Sequence, residues 1–60
     1  MKNQFTVVCE FVVKMYGNSA GSVEKVRSYF GSEAICQMFG CPVSVVIADE
    51  LIRLEFKRLG

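Results

Sequence analysis

From Phe5 to Met15 the chain alternates. Every odd position (Phe5, Val7, Cys9, Phe11, Val13, Met15) is apolar, while the even positions mix Thr6, Glu10 and Lys14 with Val8 and Val12. A period of two places the odd set on one face of a strand, and the Val, Phe and Thr content favours a pleated backbone. One face of that strand is fully apolar and the other only partly polar. Such a strand needs cover on one side and some on both, and the rest of the chain has to supply it.

Met1–Gln4 reads as a polar lead-in. After the strand, Tyr16-Gly17-Asn18-Ser19-Ala20-Gly21-Ser22 has the composition of a turn and a helix entrance. Ser22 is the expected N-cap, with Glu24 favourable in the first turn, of a helix from Val23 to Phe30. Val23, Val26 and Phe30 form its apolar face with Tyr29 beside it, while Glu24, Lys25, Arg27 and Ser28 point outward. Gly31 suits the left-handed position just past its end.

Residues 32–39 fit two readings. As a helix, Ser32 caps a stripe of Ala34, Ile35, Met38 and Phe39; as a strand, Ile35, Gln37 and Phe39 oppose Ala34, Cys36 and Met38. Pro42 stops whatever precedes it and biases Cys41 toward extended backbone. The β-branched run Val43-Ser44-Val45-Val46-Ile47 predicts a second strand. Residues 49–59 divide again. Ile52, Leu54 and Phe56 alternate with Arg53, Glu55 and Lys57, yet Asp49 and Glu50 in front and Lys57 and Arg58 behind suit a helix dipole, and the balance tips to helix.

These elements predict one small α+β domain over residues 1–60: a three-stranded antiparallel sheet with one or two covering helices, ordered β-α-β-β-α or β-α-α-β-β. Sixty residues bury only ~60% of their unfolded surface, so the core is marginal without help. The chain is nevertheless 52% hydrophobic, with a mean hydropathy of +0.34. That imbalance points to a homo-oligomer, a dimer first, in which the outer strand face at Val8 and Val12 is buried between copies.

Chemistry is thinly provided. With no histidine, the commonest general base is missing, and the six carboxylates show no acid–base spacing. No enzyme activity and no cofactor are expected. Cys9, Cys36 and Cys41 lack a fourth ligand for structural zinc, so no metal site is assigned. Gly17–Ser22 lacks the lysine and spacing of a phosphate loop. An odd cysteine count, no secretory leader and no long apolar run predict a cytoplasmic protein with free thiols and no membrane association.

Two resemblances keep nucleic acid as the alternative partner. Glu33-Ala34-Ile35-Cys36-Gln37-Met38-Phe39-Gly40-Cys41-Pro42-Val43-Ser44-Val45-Val46, within residues 33–52, resembles a helix-turn-helix: a small residue, Cys36, four before Gly40, and apolar Val46 six after it. The resemblance implies a recognition helix, which here would offer Ser44, Val45, Ile47 and Ala48 in place of base-reading Arg, Asn or Gln. The order strand, helix (VEKVRSYFG), hairpin and closing helix is similar in layout to the latter part of a LAGLIDADG homing-endonuclease repeat, without the acidic helix that powers that family. Net charge is only +1 and the basic residues are scattered, so no basic stripe backs either resemblance.

The leading expectation is therefore a small non-enzymatic interaction module, inhibitor- or adaptor-like, acting as a homo-oligomer on another macromolecule, most simply a protein. Tyr16, Arg27 and Tyr29 around the first helix, with Arg53, Lys57 and Arg58 on the tail, are the candidate partner-binding residues, because aromatic and Arg side chains are the usual interface anchors.

Overall fold

The computed structural model describes residues 2–60, and the four elements in it are all helices: α1 (Gln4–Tyr16), α2 (Ala20–Phe30), α3 (Ser32–Met38) and α4 (Val45–Leu59). There is no strand among the described residues. The α+β sheet and both of its strand orders are thereby overturned, and with them the hairpin layout that resembled a homing-endonuclease repeat.

The first strand fails because nearly every residue from Phe5 to Met15 is apolar, so a period of 3.6 fits as well as a period of two. Phe5, Cys9 and Val12, spaced four and three apart, are the residues α1 buries. Asn3 starts the helix: its side-chain oxygen accepts from the Thr6 backbone N–H at 2.8 Å, a cap worth about 1 kcal/mol. The lead-in is thus largely structured, with Met1 outside the described residues. Against this packing, the helical penalty of valine and threonine is a fraction of a kcal/mol each.

The second strand fails for a related reason. Ser44 caps α4 through its hydroxyl, which accepts from the Ile47 backbone N–H at 3.3 Å. Val45, Val46 and Ile47 therefore occupy the first turn, where no preceding turn crowds a branched β-carbon. The two ambiguous segments, 32–39 and 49–59, are helical in α3 and α4. Helix α2 begins earlier than expected, because Ser19 rather than Ser22 is the cap; the Ser22 N–H reaches the Ser19 hydroxyl at 3.4 Å. Gly31 does end α2 with φ +91°, its N–H bonded to the Arg27 carbonyl.

Helix α4 is the organising element: it packs on α1, α2 and α3 through Ala48, Ile52 and Phe56. These meet Phe5, Cys9 and Val12 from α1, Val23 and Val26 from α2, and Ile35 and Cys36 from α3 in one core. The Phe5 ring closes one end, 5.8 Å from Phe30 and edge-on to Phe39 at 5.4 Å. The Cys36 thiol donates to the Ser44 carbonyl at 3.5 Å, tying α3 to the cap of α4. A radius of gyration of 10.3 Å is that of a compact chain of this length, about 10 Å. Among the described residues no sheet edge remains to recruit a second copy.

Candidate functional site

With the core built, α1 leaves a second apolar line on its outer side. Val7, Phe11 and Met15 follow one another at i, i+4 and i+8 and are 46%, 60% and 59% exposed. Four-residue spacing makes them a continuous ridge along the helix. Beside the ridge lies a groove of about 430 Å³ between α1 and α2, lined by Val7, Val8, Phe11, Val12, Lys25 and Tyr29. Among the described residues, its one charged lining group is Lys25. Val8 is half-buried in its wall, and Val12, 7% exposed, belongs to the protomer's own core.

Phe11 also borders a shallower depression on its far side, shared with Lys2, Glu10, Val13, Lys14 and Leu59. The Phe11 ring thus stands as a crest between an apolar groove and a charged one. In the charged one, Lys2 Nζ donates to Glu10 at 2.7 Å. At the C-terminal end of the ridge, Lys25 Nζ lies 4.7 Å from the centre of the Tyr16 ring, a cation–π contact that holds the ammonium over the groove's end.

The six residues singled out in the sequence divide among three places. Tyr16 and Tyr29, both more than half exposed, belong to the α1–α2 face, Tyr29 standing edge-on to Phe30 at 4.9 Å. Arg53 and Lys57 project from α4 toward the start of α2, lining a cavity of about 220 Å³ with Asn18, Ser19, Ala20, Val23 and Phe56. Arg27 and Arg58 are each engaged by a carboxylate of the chain itself, as is Arg53 by Glu50 at 3.7 Å. Arg27 Nε donates to Asp49 at 2.9 Å with both side chains mostly covered, and Arg58 binds Glu55 through Nε and Nη2 at 3.1 and 2.5 Å.

Those contacts also shape the ionisable groups. The Arg58 guanidinium, helped by the Thr6 hydroxyl, holds the Glu55 carboxyl below its ordinary 4.5 against partial burial that works the other way. Burial, with Glu55 nearby, pushes the Cys9 thiol up to about 12. It is an unreactive hydrophobe at neutral pH. Among the described residues no group of three or more His, Cys, Asp or Glu is placed to hold a metal ion.

Sequence reasoning missed Val7, Phe11, Met15 and Lys25. The signal was present in the i, i+4, i+8 spacing, but the strand reading assigned those same odd positions to the core. The helix-turn-helix resemblance fares differently: helices do flank Gly40-Cys41-Pro42, yet Phe39–Ser44 separates them. The start of α4 exposes Val45, Val46 and Glu50, with no Arg, Asn or Gln among them. No helix among the described residues is long and apolar enough to cross a membrane. No family model matches the chain, and neither a curated protein nor a solved structure matches it.

Proposed function

We propose that this chain is a small non-enzymatic interaction module that works by presenting its α1–α2 face to another protein. The observation that carries the reading is the ridge of Val7, Phe11 and Met15, left exposed beside a groove with apolar walls. Uncovered aromatic and methionine side chains around a concave apolar surface are the features of protein-docking sites. Tyr16 and Tyr29 at the edges add flat, amphipathic anchors. Five carboxylates, Glu10, Glu24, Asp49, Glu50 and Glu55, lie within 4 Å of a Lys or Arg nitrogen, which fits a scaffold better than an acid–base site.

A photo-activated cross-linking residue at position 15, compared with one at the similarly exposed Leu54 on α4, tests the reading. A discrete protein adduct from position 15 and none from position 54 is the expected outcome in the cell. Equal labelling from both positions, or no protein adduct from position 15, would contradict it.

A further inference from the structure

We propose that the occupant of the α1–α2 groove is an amphipathic helix whose apolar face is flanked by acidic residues. This rests on the α1–α2 face being a protein-docking surface, and adds the chemistry of what docks. An apolar groove beside an i, i+4, i+8 ridge suits the commonest way two helices interdigitate, ridge into groove. A side chain from the ridge of an incoming helix would enter between Val8 and Tyr29.

The charges at its edges select the sign of the partner. Lys25 stands on the α2 side of the groove, and Lys14, one residue before Met15, stands on the other side of the ridge. The carboxylate next to Lys14 on that side, Glu10, is taken by Lys2 at 2.7 Å. Glu24, next to Lys25 in sequence, lies 3.9 Å from Arg27. Neither Lys14 nor Lys25 has a carboxylate within salt-bridge distance among the described residues, so two ammonium groups without a carboxylate partner frame the apolar ridge, Lys25 resting over the Tyr16 ring. Acidic flanks on the incoming helix would meet both, giving specificity and a faster encounter. A second copy of this chain carries the same two lysines at the edges of its own ridge, and a flat lipid surface would leave the groove between Val8 and Tyr29 unfilled.

The test uses the full chain, labelled with ¹⁵N, and two synthetic helical peptides about four turns long with the same Leu/Phe face. One carries Glu at its flanking positions and the other Lys. The Glu peptide is expected to shift the amides of Val7, Phe11, Met15, Lys25 and Tyr29 saturably. It should bind at least about tenfold more tightly than the Lys peptide, with the advantage shrinking as salt rises. Lys14→Glu with Lys25→Glu should reverse the preference, and the milder Lys14→Gln with Lys25→Gln should erase it.

Equal affinity for both peptides with a flat salt response would overturn the acidic occupant while leaving the docking face in place. Failure of both peptides, with self-association through the same amides by light scattering, would overturn it in favour of a second copy. Failure of both with binding to phosphatidylglycerol vesicles would overturn it in favour of a lipid surface. Failure of every probe would remove the docking face as well.

Discussion

Arg27 and Asp49, twenty-two residues apart, meet through a 2.9 Å contact between Nε and Oδ1 with their side chains only 23% and 20% exposed. This is the polar weld between α2 and α4. It explains why Arg27, which looks like a free interface anchor in the sequence, is a structural residue in the fold.

Asp49→Ala should therefore lower stability by about 1–3 kcal/mol, because it leaves a mostly covered guanidinium with only the exposed Glu24, 3.9 Å away. Urea unfolding of Asp49→Ala, Arg27→Ala and the double variant measures the coupling. A coupling energy near zero would show the pair to be ornamental, as most fully exposed pairs are.

Ser44 is expected to matter although it sits in a connection between helices. Ser44→Ala should cost about 1 kcal/mol and Ser44→Asp should be close to neutral, since an aspartate also accepts from the first-turn N–H groups. Thermal unfolding followed by circular dichroism checks both. A strand at residues 43–47 would give no reason for this order.

The three thiols should separate in reactivity. Cys9 and Cys36 are fully buried, and Cys9 is pushed up to about 12, whereas Cys41 is partly accessible. A disulfide reagent added to the native protein at neutral pH should modify Cys41 first. The other two should follow only at the rate of global opening.

Acid should weaken the fold through Glu55. Its folded value lies below the ordinary 4.5, so its contribution is complete above that pH and is lost as pH falls below it through the lowered value. Glu55→Gln should flatten the fall in stability below pH 4.5 seen in the parent. An unchanged acid limb would assign it to other carboxylates.

How much of this was legible in the sequence depends on whether a segment allowed more than one period. Helix α2 was readable because Val23 and Val26 stand three apart among polar neighbours, with Gly31 to stop them. The face shared by Ile52 and Phe56 in α4 was readable in the same way. The stretch from Phe5 to Met15 was not, since apolar residues occupy almost every position and satisfy helix and strand alike. Asn3 and Ser44 were the missing signals: each is a cap placed just before a run that its own β-branched residues disguised. The site followed the fold. Tyr16 and Tyr29 were identified as leftover aromatics, whereas Phe11 and Met15 were counted as core by the wrong parity, and the Arg27 partner lay too far along the chain to be seen.

That parity is also where one measurement decides most. Phe11 is 60% exposed and its neighbour Val12 is 7% exposed, the reverse of what an alternating strand with odd positions inward requires. Phe11→Glu and Val12→Glu should be unfolded side by side in urea. Phe11→Glu should keep the parent's stability to within about 0.5 kcal/mol, while Val12→Glu, which buries a carboxylate in the core, should lose several kcal/mol or fail to fold. A tolerant Val12 beside an intolerant Phe11 would contradict both the helix and the docking face built on it.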